Sequence, residues 1–221
     1  MKKTAAMLIT AAIAAILSSG CTKTNVENAF YPLVKDSEWT YETTVKRNGS
    51  ETKMQTQARV AGNENVNGVN CRTVVYTANA SSEVIKKEYY KADTEDITLI
   101  ATMYKGAEIE CKPPHLVLPA ENSDRKEWRW TGTSLYGHAN AVFNQSKADI
   151  ITAGPFKDLV TTRVDAITIT DDRTVIKESK WFALDKGLVK STAVIEENGK
   201  PTVETATEIT EFSISGKKGG K

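Results

Sequence analysis

Short runs of alternating apolar and polar residues, separated by Asn-Gly pairs, constrain the fold of this chain more than any other feature. In EWTYETTVKR, large or β-branched side chains occupy every second position from Trp39 to Val45, as in a strand with one buried face. Asn-Gly is the strongest short hairpin signal, because both residues adopt positive φ at low cost. Three such pairs separate alternating runs: Asn48-Gly49, Asn67-Gly68 and Asn198-Gly199.

The pattern predicts one mostly antiparallel β domain over residues 30–214. No window of a dozen residues after the first twenty has a convincing helical stripe, whereas half-buried strands recur throughout. The glycine- and lysine-rich segment 215–221 is expected to be a frayed tail.

A weak internal sequence repeat suggests, as an alternative, that the domain consists of two similar halves. FYPLVKDSEWTYETT and VLPAENSDRKEWRWTGT each contain a proline followed by Glu-Trp-x-aromatic, with different spacing. The halves would be 30–112 and 116–214, and together they would complete one sheet.

The first twenty residues have the pattern of a secretory signal that ends at a lipid-modified cysteine. Two lysines precede an uncharged apolar stretch, 5–17, which is shorter than the ~20 residues that a membrane-spanning helix needs. Ser-Ser-Gly then leads to Cys21, and this arrangement resembles the lipobox of bacterial lipoproteins. The resemblance implies a signal peptide over 1–20, acyl chains such as palmitate on Cys21 and a tether over 21–29. Thr22, where an aspartate would mark inner-membrane retention, implies the outer membrane, facing the periplasm.

Charge and composition exclude several partner classes. The chain has a formal charge of +1, and loss of the two N-terminal lysines leaves −1, which gives no electrostatic basis for nucleic-acid binding. We therefore expect a membrane contact through the lipid on Cys21, and a lipid or envelope protein as partner.

The two remaining cysteines, Cys71 and Cys111, favour a disulfide. An even pair in an oxidising compartment is most simply bonded. The alternative is a metal site that combines Cys111 with His115, in CKPPH, but two prolines between the ligands make this less favourable. We expect neither a metal nor a cofactor.

Catalytic motifs are lacking, and the tryptophans point instead to an apolar groove. The sequence has no G-x-S-x-G, P-loop or H-E-x-x-H motif, and its carboxylates are spaced like surface strand residues. RKEWRWTG interleaves basic and aromatic residues, as single-strand nucleic-acid grooves do, but Trp128 and Trp130 would share one strand face. They would pack into a core, or line an apolar groove with Trp39 and Trp181.

Three short motifs resemble a loose group of uncharacterised bacterial lipoproteins and secreted β-domains. They are Tyr31-Pro32-Leu33 with Trp39 and Tyr41, AGPFKDLV at 153–160, and WFALDKGLVK at 181–190. The resemblance implies strand starts and turns, with a tight bend at Gly187. It also implies a strongly curved sheet or half-barrel like that of periplasmic lipoprotein carriers, which close around acyl chains.

Three functions follow as hypotheses. The first is a non-catalytic, membrane-anchored lipoprotein that binds a lipid or hydrophobic peptide. The second is a scaffold or assembly factor of an envelope complex, and the third is a hydrolase with a cryptic site. A cavity of several hundred Å³ would favour the first, and a filled core with an exposed strand edge would favour the second.

Overall fold

The described part of the chain forms twelve β-strands. The computed structural model describes residues 28–78, 81, 83–92 and 94–215, so the predicted signal peptide, Cys21 and most of the predicted tether and tail lie outside it. No helix in these ranges is long and apolar enough to cross a membrane. The strands are β1 (Glu38–Arg47), β2 (Ser50–Val66), β3 (Val69–Ala78), β4 (Val84–Lys91), β5 (Ile97–Tyr104), β6 (Ala107–Leu118), β7 (Glu127–Ser134), β8 (Gly137–Ala153), β9 (Phe156–Thr170), β10 (Val175–Ala183), β11 (Gly187–Glu197) and β12 (Lys200–Ser213).

These strands form one closed antiparallel barrel. Each pairs with its neighbours in the chain, and β1 also pairs with β12, from Glu38 opposite Ser213 to Arg47 opposite Val203. The prediction of a mostly antiparallel β fold is confirmed. The half-barrel is wrong, because the last strand returns to the first and closes the sheet. The two-half organisation stays a prediction, and its division at 112–116 falls within β6.

The predicted Asn-Gly hairpins are confirmed by their backbone angles. Asn48 and Gly49 have φ values of 51° and 78°, and the other two pairs have the same signs. Positive φ at both positions is the geometry of a type I′ turn, which matches the right-handed twist of the strands that it joins. The bend at Gly187 is also confirmed, with φ 86°.

The start of the described chain plugs one end of the barrel, here named the closed end. Tyr31 is 3% exposed, and its ring centroid lies 6.0 Å from Trp39, 5.6 Å from Phe182 and 5.8 Å from Tyr90. Asn28 donates to backbone carbonyls in the β4–β5 and β6–β7 connections, at 3.0 and 3.1 Å. These contacts fix the entering segment across the barrel and exclude water from this end.

The junction of β6 with β7 is held mainly by side chains. Among the described residues these strands share one paired position, Lys112 with Thr133, because Pro113–Pro114 have no N–H to donate. Trp130 and Trp128 instead donate their indole N–H groups to β6 carbonyls, at 2.9 and 3.0 Å. Both rings are buried, which confirms that the two tryptophans share one face.

Substitution of Gly132 by alanine should destabilise this junction. An added Cβ would lie 2.1 Å from the carbonyl oxygen of Lys112, so the backbone of β6 or β7 would have to move. We expect a cost of about 3 kcal/mol and a melting temperature lower by roughly 6–12 °C, measured by thermal unfolding.

Gly49→Ala is the control for this prediction. Nothing lies within 4 Å of an added Cβ there, so only left-handed backbone strain of about 1–2 kcal/mol applies. Equal losses for the two variants would contradict the proposed close approach of β6 and β7.

Candidate functional site

The barrel lumen contains a cavity of about 350 Å³ above the closed end. Tyr31 and Phe182 form its floor, and larger apolar side chains form much of its wall: Leu99, Val117, Trp130 and Phe143. Small side chains fill other inward positions: Ala141, Ala166, Thr168, Ser191 and Thr207. The cavity exists because these short side chains do not reach across the ring.

The cavity communicates with solvent at the end of the barrel opposite the closed end, here named the open end. Tyr136, in the β7–β8 turn at this end, lines the cavity and is 53% exposed. The lumen-lining side chains of Glu178 and Lys180 are 33% and 29% exposed, whereas Phe182 on the same strand is 1% exposed. Solvent access therefore decreases from the open end to the closed end.

An aromatic pocket surrounds His115 on one wall. The imidazole lies 5.3 Å from the Trp130 ring and 4.9 Å from the Phe143 ring, measured between centroids. Its Nε2 is buried without a hydrogen-bond partner among the described residues. Burial, together with the positive charge of Lys180, lowers the pKa of His115 to about 4, so the ring is neutral at physiological pH.

The carboxylate of Glu88 on β4, whose side chain is 16% exposed, is held by three donors inside the lumen. Oε2 accepts the hydroxyls of Tyr76 at 2.6 Å and Tyr90 at 2.8 Å, and Oε1 accepts the Lys86 ammonium at 2.8 Å. Burial alone would raise the pKa of Glu88, but Lys86 and the two hydroxyls outweigh it and hold the pKa at about 2. This carboxylate therefore stays ionised.

A second ion pair lies on β10, where Lys180 and Glu178 are 2.8 Å apart and both line the cavity. Burial opposes the charge of Lys180, but Glu178 and, further away, Glu88 raise its pKa above the ordinary value. β4 and β10 stand six places apart in the ring of twelve, so these two ion pairs come from opposite walls.

The four tryptophans that the sequence suggested for an apolar groove are not brought together. Trp130 lines the cavity. Trp39 packs in the closed end, and Trp128 packs in the core, where its indole N–H bonds the Leu116 carbonyl of β6. Trp181 does not line the cavity, since Lys180 and Phe182 on either side of it do. The groove is a lumen, and Trp130 alone of the four reaches it.

The predicted Cys71–Cys111 disulfide is wrong, because both cysteines are free and buried. β4 and β5 separate their strands, so at ~4.8 Å per strand the two lie about 14 Å apart, twice the ~7 Å limit for a disulfide. Cys71 packs in a small separate cluster, whereas Cys111 faces the cavity, where burial raises its pKa to about 11. Within the described residues, no group of three His, Cys, Asp or Glu is placed to hold a metal ion.

The sequence does not predict that charged residues line the lumen. Lys86 and Glu88 stand two apart on β4, as do Glu178 and Lys180 on β10, so each pair shares a strand face. Spacing of this kind is typical of a solvated face, and for the carboxylates the sequence predicts such a face. The tyrosines within KKEYY are the sequence signal for an inward Glu88, because a carboxylate away from water needs several donors and Tyr90 is one of them.

Known proteins resemble this chain only distantly. No protein-family model and no curated protein sequence matches the chain. A candidate lipoprotein structure from Parabacteroides distasonis is 13% identical, over 84% of this chain and 99% of that one, with a TM-score of 0.45. A candidate exported protein with a YmcC-like fold from Bacteroides fragilis is 12% identical, over 85% and 100%, with a TM-score of 0.46. A LolA superfamily protein from Nitrosomonas europaea is 9% identical, over 81% and 86%, with a TM-score of 0.27. At these TM-scores the likenesses carry no argument about function.

Acidification should weaken the fold through His115. The ring has a pKa of about 4 when folded and 6.5 when free, so between these values the unfolded chain binds a proton that the folded chain does not. The free energy of unfolding should therefore fall as the pH drops from 7 to 4, by up to ~3 kcal/mol, in urea titrations.

His115→Phe should remove this part of the pH dependence and keep the aromatic packing. His138→Gln is the control, because His138 is half exposed and paired with Asp171. An identical pH dependence in the wild type and His115→Phe would rule out a buried neutral imidazole.

Proposed function

We propose that this protein binds a small hydrophobic or amphipathic molecule in the barrel lumen and does not transform it. The observation that carries the proposal is the cavity of about 350 Å³, within the range of small-molecule sites. Its wall combines aromatic and aliphatic side chains with a few polar groups, the composition that such sites share. A lipid fits this wall better than a polar metabolite does.

A binding role is favoured over catalysis by the state of the polar groups. Glu88 is committed to three donors, and its low pKa makes it a poor proton acceptor. His115 lies among aromatic rings, and among the described residues its Nε2 has no hydrogen-bond partner that could serve as a nucleophile. Neither group has the poised pKa and the hydrogen-bonded partner that acid–base or nucleophilic catalysis needs.

Carriage of a ligand is also favoured over a scaffold role. Every strand of the described barrel has a neighbour on both sides, and even β6 and β7, which share one paired position, are covered by each other's side chains, so the ring offers no long open edge strand of the kind that β-augmentation uses. The lumen, in contrast, is partly empty, and this matches the cavity expected of a carrier.

For location, we propose a lipid anchor at Cys21 on the outer membrane, with the barrel in the periplasm. Support comes from the lipobox-like sequence before Cys21. The chain enters the barrel at the closed end, seven residues after this cysteine, a tether of at most about 25 Å. An anchor there would leave the open end facing away from the membrane.

Filling the lumen should abolish binding of an apolar fluorophore. Ala166 on β9 lines the cavity, so the ring of Ala166→Phe would occupy part of the empty space. We expect wild-type protein to enhance phenylnaphthylamine fluorescence saturably, and this variant to lose at least tenfold in affinity with its melting temperature kept.

Val160→Phe is the matched control, because Val160 lies on the same strand and is 54% exposed. It should bind as the wild type does. Undiminished binding by Ala166→Phe would show that the fluorophore sits elsewhere, and no binding by any form would count against a ligand-binding lumen.

A further inference from the structure

Three apolar side chains stand side by side on an exposed face at the closed end, and are here named the apolar row: Ile150, Val160 and Leu184. Ile150 on β8 is paired directly with Val160 on β9. Ala183, the last residue of β10, is paired with Thr161, so the next residue, Leu184, comes beside Val160. The exposed fractions of the three are 69%, 54% and 47%. They therefore form one contiguous strip about 10 Å across, since neighbouring strands lie ~4.8 Å apart.

The apolar row lies next to the segment that connects the barrel to Cys21. Asp185, which follows Leu184 directly, donates its backbone N–H to the carbonyl of Ala29 at 2.8 Å. Ala29 is eight residues after Cys21, which is at most about 29 Å of extended chain. A lipid on Cys21 would therefore hold the apolar row within this distance of the surface of a bilayer.

The other end of the described chain also lies at the closed end. Ser215 donates its backbone N–H to Oγ of Ser37, the residue before β1, at 3.1 Å. Three of the six residues that follow Ser215 in the sequence are lysines, and none of the six is acidic. Because anionic lipid head groups attract lysines that lie near a membrane, this sequence matches the charge of a lipid surface.

The size of the apolar row suits a lipid surface better than a protein partner. Three side chains of this exposure present roughly 100–250 Å² of apolar surface. A stable protein interface buries about 800 Å² on each partner. Charges beside the row cancel, because Lys157 is followed by Asp158 and Asp185 by Lys186, so the contact that the row offers is an apolar one. A small contact is enough at a bilayer, because acyl chains on the same protein supply most of the binding.

We propose that the apolar row inserts into the surface of a lipid bilayer and so orients the anchored barrel. The closed end then faces the bilayer. Ile169, nine residues from Val160 along β9 and therefore roughly 30 Å away, stays in water near the open end. This inference rests on the proposed lipid anchor and does not depend on what the lumen binds.

The test places a nitroxide spin label at residue 160 or 169 of the chain as purified from its own host, in vesicles of phosphatidylethanolamine and phosphatidylglycerol. Val160→Cys and Ile169→Cys are matched, because both residues lie on β9 and are 54% and 48% exposed. We expect the label at 160 to lie about 5–10 Å below the head groups, measured by its collisions with oxygen and with a water-soluble nickel chelate. The label at 169 should remain in water. The chain without either substitution gives the background from Cys71 and Cys111, which are buried.

A second pair of variants separates the contact made by the row from the nearness of the anchor. Ile150→Ser combined with Leu184→Ser should shift the label at 160 toward water by at least about tenfold in the docking equilibrium, because two of the three apolar side chains are lost. Ile167→Ser combined with Ile169→Ser is the control. These residues are 49% and 48% exposed and lie toward the other end of β9, so their loss should leave the label at 160 inserted.

The outcomes separate this inference from the proposed location, which mass spectrometry of Cys21 tests in the same preparation. If Cys21 carries acyl chains and the label at 160 meets the nickel chelate as often as the label at 169 does, the anchor stands and the insertion of the row is wrong. Insertion that survives the loss of Ile150 and Leu184 would also overturn the row. If Cys21 carries no acyl chain, the anchor is wrong, and the row stands only if the same protein still places the label at 160 below the head groups of added vesicles.

Discussion

The pairing of β1 with β12 is the interaction on which the rest of the structure depends. It joins the ends of the domain along the whole length of β1, so the inward face of the sheet becomes the wall of a lumen. Side chains of β1 reinforce the closure: Thr43 shares a hydrogen bond with Thr207 at 2.9 Å, and the Tyr41 hydroxyl donates to the carbonyl of Leu188 at 3.1 Å. An open sheet would expose the same inward positions to water instead of enclosing them.

Side-chain size then decides which part of the lumen is core and which part is cavity. Near the closed end, Tyr31, Trp39 and Phe182 pack ring against ring and leave almost no exposed surface. Nearer the open end, the inward positions carry alanine, serine and threonine on several strands, which are too short to meet in the centre of a ring of twelve. Two ion pairs line this wider part from opposite walls, β4 and β10, and the aromatic pocket lies between them on β6, β7 and β8.

Local patterns allowed the sequence to predict the strands and turns, but long-range pairing could not be predicted from it. Asn48-Gly49 specifies its turn through its own backbone preferences, so the hairpin was accessible from two residues. The pairing of Glu38 with Ser213 depends on the total twist and number of strands, which no short segment encodes. The same limit explains the disulfide error, since the predicted compartment would favour bonding while the strand order holds Cys71 and Cys111 apart. It also explains why Glu88 and Glu178, among the carboxylates, are predicted at the surface, because alternation defines two faces without saying which one is inside.

The most direct test of the central claim, a closed barrel with an occupiable lumen, is native mass spectrometry of the chain after gentle purification from its own host. Our account predicts a fraction of the protein carrying a non-covalent amphiphile of several hundred daltons, released when the barrel is denatured. It also predicts that the Ala166→Phe protein, purified in the same way, carries none. Protein without any bound molecule under every gentle condition, or the same bound mass in both forms, would contradict it.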